Sequence, residues 1–319
     1  MKKFNELEDI QQFKMIKDDL LDYRELANIT SNGINYPIVG ITIGTKKKNV
    51  PTFGIFAGVH GLERVGTHIA IAFLNNLTNR LRWDQELRKE FENFRIVMIP
   101  LINPAGMNEV RRSNHNGVDL MRNSPVESDH KTPLLLGGHT YSPKLPWYRG
   151  NPNKMEVETQ TVVDFVKEEM FNSPFSMSID LHSGFGMKDR LWYPYAKTKS
   201  PFPLKPEIRR MRELLDTSLP HHIYHIEQQS ESYTTSGDLW DYLFDLNNDN
   251  PQKKGIFIPW TLELGSWLWV KKNPLQILST LGMFNPVKQH RFDRVMRRHL
   301  LLFDFLIQAT KNNSAWLIN

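Results

Sequence analysis

Apolar and polar positions along the chain follow two different periods. Alternation, or short apolar runs rich in β-branched residues, predicts strands at "NYPIVGITIG" (35–44), "TFGIFAGV" (52–59) and "FRIVMIPLIN" (94–103). Two further strands are expected at "FSMSIDLHS" (175–183) and "GIFIPWTLELG" (255–265). Apolar residues recur every three to four positions at 65–82, 155–171, 206–219 and 290–310, which predicts helices. Strands alternating with helices predict an α/β architecture around a largely buried sheet. No internal repeat, low-complexity linker or composition break divides the chain, so one domain over 1–319 is expected, opened by a helical extension at 1–30. The region 104–153 is different. It is rich in Asn, Gly, Pro, Arg and His with little periodicity, and so long a loop in a compact domain is usually functional.

Composition narrows the chemistry. Hydrophobic residues make up 40% and charged residues 24% of the 319 residues, as in ordinary globular proteins. No apolar run of about 18 residues exists, so no membrane span is predicted. The first residues carry lysines but no apolar segment or small-residue cleavage site, and a cytoplasmic location is expected. Cysteine is absent, which excludes disulfides, thiolate zinc sites and cysteine nucleophiles. Any metal must therefore be held by histidine and carboxylate. The net charge is +5, and basic residues are dispersed apart from 46–48 and 294–299. Nucleic-acid binders concentrate charge on a stripe interleaved with aromatics, so no nucleic-acid partner is expected.

The ionisable residues fall where chemistry is usually built. His60 and Glu63 lie just past one predicted strand, His182 at the end of a second and Glu263 near the end of a third. In open α/β sheets sites form at the carboxyl ends of strands, where loops converge on a rigid scaffold. Two histidines and a glutamate form a known catalytic zinc set, which leaves one position open for water. Such a site also needs a general base, which Glu263 can supply, and a cation for the developing oxyanion, which an arginine from 104–153 can supply. Taken alone, His60 and Glu63 also fit a hydrogen-bonded turn followed by a glutamate in a helix's first turn.

The order of the remaining segments decides between these readings. "NPAGMNEVRRSNHNGVDLMRN" (103–123) resembles the segment of zinc metallocarboxypeptidases of the carboxypeptidase A type that runs NPDG, R-x-N, GVDLNRN. "HGLE" resembles their first two zinc ligands and "DLHSGFG" their third. "YTTSG" (233–237) and "TLELG" (261–265) resemble their substrate-closing tyrosine and catalytic glutamate, and "NKMEVETQTVVDF" (153–165) a helix start typical of the family. The resemblance implies a three-layer α/β/α fold with a mixed, mostly parallel sheet, and one zinc ion held by His60, Glu63 and His182. It implies Glu263 as general base, Arg112 as oxyanion donor, Arg122 as partner of the substrate's terminal carboxylate, and Tyr233 as the residue that closes over the substrate. Trp240 falls near the position that shapes the side-chain pocket. One departure stands at the site: the asparagine that usually precedes the carboxylate-binding arginine is Met121 here, and methionine cannot donate the second hydrogen bond. The expected substrate is therefore a C-terminal peptide bond, with N-acyl amino acids or murein peptides as the alternative.

Overall fold

Which residues alternate along the central strands decides what each face of the sheet packs against. The computed structural model describes residues 4–318. Its strands are β1 (Leu21–Ser31), β2 (Ile34–Gly44), β3 (Thr52–Ala57), β4 (Arg95–Ile99), β5 (Phe175–Ser183), β6 (Arg190–Tyr193), β7 (His225–Gln228) and β8 (Ile256–Leu264). They form one sheet in the order β1-β2-β4-β3-β5-β8-β6-β7. The pairs β3–β4, β3–β5, β5–β8 and β6–β7 are parallel, and β1–β2, β2–β4 and β6–β8 are antiparallel.

On β5, Phe175, Met177, Ile179 and Leu181 enter one apolar core, and on β8 Ile258, Trp260, Leu262 and Leu264 do the same. The helices Arg64–Leu81, Lys205–Ser218 and Gln289–Lys311 close this face through Ile69, Leu74, Met211, Leu302 and Leu306. The opposite face packs Phe56, Val97 and Ile99 against the helices Val157–Met170 and Leu239–Asn248. The result is the expected three layers. The alternate residues of β5, Ser176, Ser178, Asp180 and His182, face away from the first core, and all are buried.

The predicted helices and central strands recur within a few residues of their expected ends. Strands β3 and β4 stop earlier, because the backbone beyond them turns into loops that bond to each other, Ile102 N–H donating to Ala57 O and Asn103 N–H to Gly58 O. The helical extension expected at 1–30 is corrected. Residues 1–3 lie outside the described part, a helix covers only Glu6–Gln11 with one further turn at Gln12–Met15, and Leu21–Ser31 is the edge strand β1. Alternation fails there because ion pairs take part in covering this strand. Arg24 donates to Glu168 (3.0 Å) and Glu169 (2.6 Å) on the helix Val157–Met170, and its guanidinium lies over Phe165. Strands β6 and β7 have four residues each, too short for periodicity to reveal. No helix among the described residues is long and apolar enough to cross a membrane.

The short N-terminal helix is tied to the helix that follows the first metal-binding loop. The buried Glu6 accepts from Arg64 Nε (2.5 Å) and Nη2 (2.6 Å) and lies 3.0 Å from His68 Nε2. Burial pushes this carboxyl up, but His68 and Arg64 together outweigh it and bring it down to about 2 from 4.5. A depressed carboxyl stabilises the fold above its unfolded value, and that contribution disappears as pH falls through the folded value. The shift corresponds to roughly 3 kcal/mol. Chemical denaturation as a function of pH should therefore show Glu6→Gln less stable than the parent by roughly that amount near neutrality, with the difference vanishing between pH 4.5 and about 2.

Candidate metal centre

Strands β3, β5 and β8 run parallel, so their carboxyl ends meet along one edge of the sheet. The loop after β3 carries His60 and Glu63. Its shape depends on glycine: Gly58 has φ +69°, and a Cβ on Gly61 would come within 2.3 Å of the backbone at Gly106 and Met107. That close approach lets Gly61 N–H donate to Arg112 O (3.3 Å), which draws the loop against the arginine-bearing segment. Asn103 adds a second tie, donating to Val59 O (3.2 Å) while accepting from Gly106 N–H. In the parallel register His182 of β5 sits directly beside Glu263 of β8.

These constraints bring three potential ligands together. Donor atoms of His60, Glu63 and His182 all lie within 4.8 Å of one another, and among the described residues this is the group able to hold a metal. His60 Nδ1 is 2.8 Å from Glu63 Oε1, and His182 Nδ1 is 3.0 Å from Glu63 Oε2. Each histidine's other nitrogen meets a second carboxylate: His60 Nε2 lies 2.9 Å from Asp119 Oδ1, and His182 Nε2 2.8 Å from Asp180 Oδ2. A carboxylate on Nε2 fixes the proton there and leaves the Nδ1 lone pair free for an ion. Two imidazole nitrogens and one carboxylate oxygen with no thiolate suit zinc, and three protein ligands leave a fourth position open. The donor set therefore fits one zinc ion.

Charge is concentrated around this centre. Burial opposes ionisation of Glu63, yet His60 and His182 outweigh it and hold the carboxyl well below its usual range. Burial likewise opposes the charge on His182, but Asp180 and Glu63 raise its pKa well above the ordinary value. Glu263 goes the other way: burial first, then the neighbouring Glu63 charge, push it up to about 8. Its Oε1 accepts from Phe185 N–H at 3.0 Å. Arg112 donates through Nη1 to Glu63 Oε1 (3.2 Å) and through Nε to Asp119 Oδ2 (3.0 Å), so it stands at the ligand set.

The other expected site residues divide into two groups. Tyr233 lies with the centre: burial raises its phenol, and the charges of Arg122, Glu263 and Arg112 all act on it. Its ring packs 5.6 Å from Phe185 and 5.9 Å from Trp192. Arg122 is buried and anchored through Nε to Leu136 O (3.3 Å) and through Nη1 to Met121 O (3.2 Å). Met121 sends its side chain into the apolar core. Trp240, expected at the substrate, is corrected: it is 2% exposed and packs 5.0 Å from Phe56. Its Nε1–H donates to Asp180 Oδ2 at 2.8 Å, so it stands behind His182. His68 meets Glu6, while His222 and His225 of the 221–225 cluster pair with Asp216 and Glu227, away from the centre.

Sequence reasoning missed three residues that hold the site. Asp119 and Asp180 orient the two histidines. Asp180 had a readable signal, because residues i and i+2 of a strand share a face and Asp180 precedes His182 by two. Arg149 ties the long loop together, donating to both oxygens of Glu127 (2.7 and 2.8 Å), to Arg122 O (3.0 Å) and to Val126 O (3.2 Å). Nothing in local sequence marks it.

Partners of metal-bound histidines typically contribute about 10–100-fold to metal affinity. Asp119→Asn and Asp180→Asn should each weaken zinc binding by about that factor in competition with a chromophoric chelator. Trp240→Phe keeps the ring and loses only the N–H, so it should weaken binding by a smaller factor.

Comparison with known proteins agrees with the geometry. The profile of the zinc carboxypeptidase family matches residues 22–265. Carboxypeptidase SOL1 of Arabidopsis thaliana is 23% identical over 279 residues, covering 85% of this chain and 52% of the relative. The chain spans about half the length, or less, of the first curated relatives it matches. Among solved structures, thrombin activatable fibrinolysis inhibitor superposes with a TM-score of 0.65 at 17% identity, covering 92% of this chain and 74% of the other. Carboxypeptidase A from Helicoverpa armigera gives 0.58 at 17% identity, covering 92% and 70%. These two show the same fold. With the family's profile covering most of the chain and a His-Glu-His zinc centre at the carboxyl edge of its sheet, the protein belongs to the zinc carboxypeptidase family.

Proposed function

We propose that the chain is a metallocarboxypeptidase that hydrolyses the C-terminal peptide bond of its substrate. The observation that carries this reading is the placement of Glu263 in register with His182, with Arg112 bonded to Glu63 on the other side of the ligand set. Zinc bound by His60, Glu63 and His182 would act as a Lewis acid and bring the pKa of a coordinated water to about 7. Glu263 takes the proton of the attacking water and passes it to the leaving nitrogen. Burial raises the proton affinity of Glu263 above that of an exposed carboxyl, which moves it toward the groups it serves. Arg112, held by Asp119, donates to the oxyanion that forms on the scissile carbonyl. Arg122 receives the substrate's terminal carboxylate, a planar pairing suited to guanidinium, and Tyr233 covers the bound end from its place near Arg122 and Glu263.

Met121 shapes this reading. Its side chain belongs to the core, so carboxylate recognition rests on Arg122 and whatever N–H groups surround it. Family membership does not favour the alternative in which N-acyl amino acids are the substrate. Carboxylate recognition can be tested on the substrate: a peptide with a free C-terminus should be cleaved, and the same peptide amidated at its C-terminus should be cleaved far more slowly. Hydrolysis of N-acyl amino acids with peptides left intact would overturn the proposal.

Two variants test the chemistry. Glu263→Gln should retain zinc by elemental analysis and lose about 10²–10⁴-fold in kcat. Arg112→Ala should retain zinc and lose on the order of 10²–10³-fold in kcat, the usual cost of removing an oxyanion donor. Normal turnover in either variant would remove that residue from the mechanism.

A further inference from the structure

The segment between β8 and the last long helix buries Trp269 and Leu281 but also encloses a polar side chain and leaves apolar ones outside. The helix Trp267–Lys272, the turn Pro274–Leu278 and the helix Thr280–Phe284 pack on one another around a glutamine. Gln276 is 4% exposed, and its side-chain amide donates to Gly282 O at 2.7 Å. Gly282 approaches so closely that a Cβ there would stand 2.2 Å from Gln276 O. The apolar neighbours of this buried glutamine point outward: Leu275 is 76% exposed, Ile277 56%, Leu278 84% and Val287 57%. Trp267 and Met187 add half-exposed rings and chains nearby. Single exposed apolar side chains are ordinary, but a cluster of this kind marks an interaction surface.

The charge of the same segment is one-sided. From Leu264 to Phe292 the sequence contains no Asp or Glu, while Lys271, Lys272, Lys288 and Arg291 lie within it. All three lysines are exposed, and none makes an ion pair with another described residue. Lys188, also exposed, joins them, since its backbone packs against Gly265. The segment is fixed beside the metal centre. Asn285 donates to Leu62 O (2.8 Å) and accepts from Val65 N–H (2.9 Å), on either side of Glu63, and Trp267 Nε1–H donates to Gly184 O (2.9 Å), two residues past His182.

We propose that this face docks on an anionic lipid bilayer, with Leu275, Ile277, Leu278 and Val287 entering the headgroup region and the surrounding lysines meeting lipid phosphates. Apolar side chains rimmed by lysines are the composition that binds peripherally to such surfaces, through buried apolar area together with attraction to anionic lipid. A second copy of the chain fits less well, because a two-fold contact through this face would set the same unpaired lysines against each other. An anionic bilayer presents negative headgroups across its whole surface and meets all of them. Docked this way, the rim of the metal centre lies at the membrane surface. The inference does not depend on which bond the centre cuts.

Vesicle co-sedimentation of the full chain tests the proposal, using phosphatidylcholine vesicles and vesicles of phosphatidylcholine mixed with phosphatidylglycerol. The chain should sediment with the mixed vesicles, should do so less as salt rises, and should remain in the supernatant with phosphatidylcholine alone. The double variant Leu275→Glu, Leu278→Glu should lose at least about tenfold in vesicle affinity. Lys271→Gln and Lys272→Gln should each lose about fivefold. Zinc content and thermal midpoint should match the parent, which separates lost docking from lost folding. Failure to sediment with anionic vesicles, equal sedimentation with both compositions, or variants that bind like the parent would each overturn it. So would a dimer in light scattering that Leu278→Glu disperses while the parent ignores vesicles, because the face would then belong to a second copy.

Discussion

The parallel pairing of β5 with β8 is the constraint on which the rest of the site depends. Register sets His182 against Glu263, and the pleat then decides which way both point. A slip of one residue in either strand would turn that strand's site residue into the apolar core that Leu181, Leu262 and Leu264 occupy and part the pair. The large residues of that core, Phe175, Ile179, Trp260 and Leu262 among them, therefore hold the chemistry in place although none touches it. Packing energy on one face of the sheet is what makes the geometry on the other face exact enough for a metal centre.

Much of this was legible in the sequence, for identifiable reasons. Strands β3, β5 and β8 are buried on both faces, so they read as largely apolar runs. The ionisable residues His182 and Glu263 stand near the carboxyl ends of β5 and β8, and His60 and Glu63 in the loop just past β3. The edge of the sheet was not legible. Asp22, Arg24 and Glu25 in β1 look like helix or loop because ion pairs to Glu168 and Glu169 help cover that strand. Trp240 was placed correctly in sequence and assigned to the wrong surroundings. Its position near the family's pocket residues says nothing about depth, and only the bond to Asp180 shows that the ring stands behind a ligand. Arg149 was unreadable for another reason: it satisfies carbonyls of a loop whose path no periodicity encodes.

The irregular segment 104–153 sends Ala105, Met107, Leu120 and Met121 into the apolar cores, and polar bonds position the rest of it. Asn123 bridges Arg149 O (2.8 Å) and Glu156 N–H (2.6 Å), Arg149 collects carbonyls at Arg122 and Val126, and Gly61 N–H reaches Arg112 O. Every one of these contacts lies within a few residues of Arg112, Asp119 or Arg122. The loop is thus fixed where its side chains must be accurate, and even its tip is tied in, with Leu136 O accepting from Arg122 Nε (3.3 Å) while Leu134 and Tyr141 stay exposed.

The charge inventory of the centre explains why its carboxylates tolerate burial. Glu63, Asp119, Asp180 and Glu263 converge on a space whose fixed cations are Arg112 and Arg122, and Asp238 lies just behind with burial pushing its carboxyl up. The acids outnumber the guanidinium groups. Isolated buried carboxylates are costly, and the two responses open to such a site are proton uptake and a bound cation. Both are written into the structure: Glu263 is shifted toward its protonated form, and Glu63 lies between two histidine Nδ1 atoms whose Nε2 atoms already meet Asp119 and Asp180. A divalent ion at that point meets the excess charge directly and leaves Glu263 free to exchange a proton with whatever reacts beside it. The electrostatics that call for the metal and those that tune the base therefore arise from the same set of carboxylates.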